Sequence, residues 1–205
     1  AYPFTIVAIV GVINAFNMLD GLDGLLASLV IFTLLNFHIF TQTAPGIVSI
    51  FIGASLLAFL ISNLTISPLV PHTFLGDAGS RLLGFIVVCL LLSASSGQIG
   101  TYKMIQPVTA LYVVALPLFD MFFTILRRLL RNRSPFEPDR SHIHHLLQDL
   151  GISDRRALVI IVCVGSIVPS LGLLINRLGA SEMLQFYLFL ICFVTYCFLM
   201  SQAWL

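Results

Sequence analysis

Residues 157–176 read ALVIIVCVGSIVPSLGLLIN, with no charged side chain among them. A helix of that length rises roughly 30 Å, the thickness of a bilayer's hydrocarbon core. Similar apolar runs recur at about residues 22–40, 46–62, 82–97, 106–126 and 183–201, with a seventh at about 2–16 that is short at its start. Backbone polar groups in lipid must be satisfied within the segment, and the runs lack the alternation of barrel strands. The expectation is an all-α, polytopic membrane protein of about seven transmembrane helices, forming a single transmembrane domain over residues 1–205.

Composition agrees. Of the 205 residues 59% are apolar and only 9% charged, against about 25% charged in soluble domains. Mean hydropathy is +1.04. This excludes a soluble single domain, a disordered chain and a nucleic-acid binder with a basic surface. Cys89, Cys163, Cys192 and Cys197 lie inside apolar runs without zinc spacing and read as packing residues. Turn-rich Thr43–Gly46 and Ser95–Gly97 separate runs, Gly151 closes a short helix, and Ser153 looks like the N-cap of the next.

Charge placement orients the chain. Arg127, Arg128, Arg131, Arg133, Arg140, Arg155 and Arg156 share one connection, and Arg81 ends another on the same side. Only Lys103 and Arg177 fall opposite. The positive-inside rule makes the arginine side cytoplasmic, and three polar constellations gather there.

The first is Asn14-Ala-Phe-Asn17-Met-Leu-Asp20-Gly21-Leu-Asp23-Gly24. Continued as a helix, its two amides and two acids would share one stripe. Gly21 and Gly24 would instead let it unwind and present backbone N–H groups. The bland alternative is a polar helix end with a glycine turn. The second is Phe74-Leu-Gly76-Asp77-Ala-Gly-Ser80-Arg81. Its acid among small residues suits a phosphate or Mg²⁺, although Asp77 could equally cap the helix that follows.

The third follows Pro135 and Pro138: Asp139-Arg140-Ser141-His142-Ile-His144-His145. A short amphipathic helix from Ser141 to Leu150 would place His142 and His145 on one face and His144 elsewhere. Such histidines suit zinc, phosphate donation or proton transfer, or an interfacial helix drawn to anionic headgroups. His38 and His72 stand alone and receive no role. Asp120, inside an apolar run, is either functional or paired with an arginine of a neighbouring helix. Carboxylates to hold a metal and cations to bind phosphate, at one bilayer boundary, are the components of phosphoryl transfer.

The strings NAFNMLDGLDGLL, FLGDAGS, PLFDMFFTILRRL and PDRSHIHHLL, in that order, resemble those of the polyprenyl-phosphate N-acetylhexosamine-1-phosphate transferases, the MraY/WecA family. HIHH after PDR is similar to the WecA-like branch. The resemblance implies transfer of GlcNAc-1-phosphate from UDP-N-acetylglucosamine to undecaprenyl phosphate with release of UMP, in the bacterial inner membrane, the active site facing the cytoplasm. It implies Mg²⁺, with Mn²⁺ as the alternative, and Asp77 as its ligand. Phe74 would stack on uracil. Asp20 and Asp23 would be the acids of the nucleotide pocket and, with His142, His144 and His145, the catalytic group. Asn14, Asn17, Gly76 and Arg140 would complete substrate binding, while Asp120 matches a family acid of unspecified role.

The family's adjacent aspartate pair, upstream of the NAFN segment, has no counterpart, since no Asp-Asp occurs here. With Ala1 in place of an initiator methionine, the chain is expected to be the carboxyl-terminal part of a longer protein and inactive alone. Another UDP-N-acetylhexosamine as donor, the polymer pathway served and homodimer formation stay open. An ion-coupled secondary transporter using Asp20, Asp23 and Asp120 is the competing class. An intramembrane aspartyl protease would leave the histidines unused.

Overall fold

A computed structural model describes residues 2–41, 46–66, 69–96, 105–135 and 142–203. Among them every regular element is an α-helix: α1 Tyr2–Leu19, α2 Leu25–Thr41, α3 Ile47–Asn63, α4 Gly76–Ser96, α5 Pro107–Val113, α6 Ala115–Leu130, α7 Ile143–Asp149, α8 Asp154–Arg177 and α9 Glu182–Ala203. The all-α membrane architecture expected from composition is the one observed. By length and hydropathy, α4, α8 and α9 can each cross a bilayer, and α5 with α6 make a fourth span if counted as one broken helix. Thr5–Leu19, α2 and α3 are apolar but shorter than a full crossing.

The run at 106–126 is not one straight span. It breaks at Val114, and α5 meets α6 at 77°. Pro117 supplies the cause: it has no N–H for the Val113 carbonyl, and its ring crowds that carbonyl. The break lets α6 leave the line of the bundle and carry Asp120 towards α7.

The helices pack chiefly as α1 along α4 and α2 along α8. Helices in lipid gain little from the hydrophobic effect and associate through close, well-fitted contact. Gly172 of α8 shows this: a Cβ there would fall 2.3 Å from Tyr112 of α5. One core joins α1, α2 and α4 through Phe16, Val30 and Val87. A second joins α6, α7, α8 and α9 through Phe119, Ile143, Ile161 and Tyr196. Cys192 and Cys197 pack against the second core, whereas Cys89 and Cys163 are exposed and do not serve as buried packing.

The expected stops are present. Gly151 has φ +77° and closes α7 through Gly151 N–H to the Gln148 carbonyl and Ile152 N–H to that of Leu147. Ser153 is the N-cap of α8, although its side chain makes no capping bond.

Candidate active site

α1 ends at Leu19, and Asp20–Gly24 crosses to α2 without helical structure. Gly24 sits at φ +76°, a conformation costly for other residues, and a Cβ on it would fall 2.7 Å from Leu64. The glycines therefore do unwind this motif, and its amides and acids do not continue as one helical stripe. Asn17 accepts a 2.8 Å hydrogen bond from Ser80 Oγ, tying the first motif to the second. Asn14 is exposed and outside the lining of the cleft that these motifs form, because it lies more than one turn before the end of α1, where Asn17 reaches that cleft.

The cleft encloses about 290 Å³. Asp20 and Asp23 face it from the α1–α2 crossing, and Phe74, Gly76 and Asp77 from the start of α4. α4 begins at Gly76, so Asp77 lies within the first turn and is not its cap. The exposed Asp77 carboxylate accepts a 3.0 Å bond from Arg81, one turn on. Phe74 is 80% exposed, so its ring face is available to a planar ligand. Burial, then the negative charges of Asp23 and Asp77, push Asp20 up to about 6.

The gathering of these acids around Asp20 is the test of whether the residues suit a divalent cation. Among the described residues no group of three potential His, Cys, Asp or Glu ligands stands as a cage. Mg²⁺ does not need one: it is commonly held by one or two carboxylates together with substrate phosphates. A carboxyl held up to about 6 beside two further acids fits that donor set.

Two further residues meet Asp23. Asn63, buried at the end of α3, donates to Asp23 Oδ1 at 3.1 Å and to the Thr73 carbonyl at 2.7 Å. His72 Nε2 lies 3.3 Å from Asp23 Oδ2. Asn63 was invisible in the sequence because a lone amide in an apolar run has no periodic signature. His72 carried one usable signal, its place five residues before Asp77.

The histidines stand behind the cleft. α7 starts at Ile143, so His142 is its N-cap and does not share a helical face with His145. His142 turns inward, with Nδ1 2.7 Å from Asp120 Oδ2. Asp120 is 1% exposed, and its other oxygen accepts from Ile143 N–H at 2.9 Å and Tyr196 O–H at 3.0 Å. Its partner is thus a histidine and a tyrosine, not an arginine. Arg128, buried on the same helix, donates to the Pro135 carbonyl at 2.6 Å.

His144 is buried against Gly21, where an added Cβ would fall 2.1 Å from its Nε2. Its ring is parallel to that of His142 at 5.8 Å and lies 4.1 Å from that of His145. His145 Nδ1 is 3.2 Å from Gln148, which donates to Asp154 at 2.9 Å. The third motif thus meets the first through the Gly21 backbone, and the histidines do not line the 290 Å³ cleft themselves. Arg140 lies outside the described residues, as do Pro138, Asp139 and Ser141.

Residues 1–95 match the family described as Glycosyl transferase family 4. The chain is 38% identical over 164 residues to the undecaprenyl-phosphate alpha-N-acetylglucosaminyl 1-phosphate transferase of Escherichia coli K12, an alignment covering 80% of this chain and 44% of that protein. Proteins of the same name from Yersinia pestis and Haemophilus influenzae are each 38% identical over 152 residues, covering 74% and 73% of this chain and 41% and 42% of theirs. The chain spans less than half the length of these curated relatives.

Proposed function

We propose that the protein to which this chain belongs transfers N-acetylglucosamine 1-phosphate from UDP-N-acetylglucosamine to undecaprenyl phosphate. An oxygen of the lipid phosphate bonds to the sugar-linked phosphorus of the donor. The bond from that phosphorus to the bridging oxygen breaks, UMP leaves with the oxygen, and lipid-linked pyrophosphoryl-GlcNAc remains. The observation that carries this reading is the convergence of Asp20, Asp23 and Asp77, from two separate motifs, on one cleft.

Phe74 at the rim would stack on the uracil, an aromatic face against a planar base. Asp77, with Asp20 facing it, would hold Mg²⁺, which when bound offsets negative charge developing on the transferred phosphoryl group. Asn63 and Asn17 hold the acid-bearing segments in place: Asn63 bonds Asp23, and Asn17 bonds Ser80 of the Asp77 helix turn. His144 and His145, behind Gly21, would supply donors to the phosphates or carry protons as UMP departs. The concentration of arginines on this side favours a cytoplasmic cleft in the inner membrane, where a soluble nucleotide sugar meets a lipid entering between helices.

The test is product stoichiometry. The whole protein in vesicles, given both substrates and Mg²⁺, should release one UMP for each lipid-linked GlcNAc formed. Accumulation of labelled sugar inside the vesicles without UMP would overturn transfer and restore the transporter.

A further inference from the structure

Asp120 does not line the 290 Å³ cleft, yet it is the most heavily bonded acid described. Its carboxylate is 1% exposed and meets three groups from two other elements: His142 Nδ1, Ile143 N–H and Tyr196 O–H. We infer that Asp120, assisted by Tyr196 of α9, is a positioning residue that keeps a proton on Nδ1 of His142 and so sets the placement of the whole histidine stretch. The role rests on the transferase reading above, while its spectroscopic consequence can be measured without any substrate.

The hydrogen-bond inventory carries the point. A carboxylate only accepts, so Nδ1 facing it at 2.7 Å must donate. Nε2 is then the nitrogen left to act elsewhere, as in other sites where the bond made by one ring nitrogen sets the state of the other. Ile143 N–H is an obligate donor, and its bond to Oδ1 anchors the first residue of α7. His144, two residues after His142, is thereby delivered against Gly21, whose neighbour Asp20 lines the cleft. Tyr196 closes the arrangement from α9 and packs on Phe119 and Phe123 of α6.

Asp120→Asn reverses this logic with almost no change of shape. The amide oxygen must stay towards Ile143 N–H, so the amide NH₂ faces Nδ1, which has to become an acceptor and lose its proton. In the whole protein labelled with ¹⁵N-histidine, His142 of the wild type should show a protonated Nδ1. In Asp120→Asn it should show a bare Nδ1, with UMP release lowered at least about tenfold. A bare Nδ1 in the wild type overturns the assignment. So does a protonated Nδ1 in the variant, or a switched ring with a smaller loss of turnover. If Asp120→Asn does not fold, the wild type and Tyr196→Phe decide: the carboxylate remains in both, so Nδ1 must carry its proton in both, and a bare Nδ1 in either refutes the role. A wild type that keeps Nδ1 protonated yet releases no UMP would sink the transferase reading and leave the hydrogen-bond assignment standing.

Discussion

The two ends of the bundle solve the problem of polar groups in opposite ways. α8 spans both, from Asp154 beside Gln148 to Asn176 in its last turn, a rise of roughly 35 Å for its length. At the far end Gln185 is fully buried and donates to Gln106 at 2.6 Å and to the Ala180 carbonyl at 3.0 Å. Thr109 bonds Gln185 at 2.7 Å and Asn176 at 3.0 Å, so α5, α8 and α9 are tied by neutral groups that satisfy one another. At the arginine-rich end three acids open on one cleft, and burial with the charges of Asp23 and Asp77 raises the energy of the charged form of Asp20. A satisfied neutral knot holds helices together. A cleft in which a buried carboxyl faces two further acids gives up some stability at Asp20 and is stabilised by what binds there.

That contrast can be broken at either end. Asp77→Asn should lower UMP release by about 100-fold while leaving the unfolding temperature unchanged, because the exposed carboxylate meets only Arg81; equal damage to both would make Asp77 structural. Gly21→Ala comes next. Its methyl would overlap the buried His144 ring, so turnover should fall about tenfold and stability by roughly 1–3 kcal/mol. Full activity would show that the histidine stretch need not touch the Asp20 segment.

Gln185→Leu tests the other end. Thr109 and Gln106 lose a partner, and stability should fall by roughly 1–3 kcal/mol with the KM for UDP-GlcNAc unmoved; a changed KM would couple the knot to the cleft. Acidity offers a gentler probe. Asp20 holds its proton to about 6 in the folded chain, above an ordinary carboxyl near 4. The folded state therefore binds that proton more tightly than the unfolded one, and stability falls as pH rises from about 4 to 6. Asp20→Asn should flatten this fall in a thermal-unfolding series, and turnover of the unaltered protein should climb through the same window. A fall of the same size in Asp20→Asn would assign it to another group. His38→Ala, remote from the cleft, should leave turnover within about twofold; a loss matching that of His145→Ala would remove the reason for singling out the 142–145 stretch.

Much of the site was legible because its residues are anomalies. An acid beside glycine at a bilayer boundary has few uses, and two such segments followed by a histidine cluster narrow them further. What stayed hidden were polar residues that occur singly. Asn63, Tyr196 and Gln185 each sit in an apolar run with no neighbour to mark them, and their meaning comes from partners 40 to 76 positions away. The pairing of His142 was misjudged for a related reason. Helical spacing was applied to a residue that precedes the helix, and an N-cap points by its own backbone angles, not by the 3.6-residue period. The break at Val114 did have a local signal in Pro117.

Local chemistry along the chain was sufficient for the membrane environment, the helical class, the crowding of arginines in one connection and the three polar motifs. Each follows from hydropathy, charge or backbone freedom, properties that residues carry wherever they fold. Which acid repels which, which histidine meets Asp120 and which glycine must stay bare were decided only when distant helices packed. Those are facts of distance, and electrostatic and hydrogen-bond energies depend on separations that a linear order of residues does not contain.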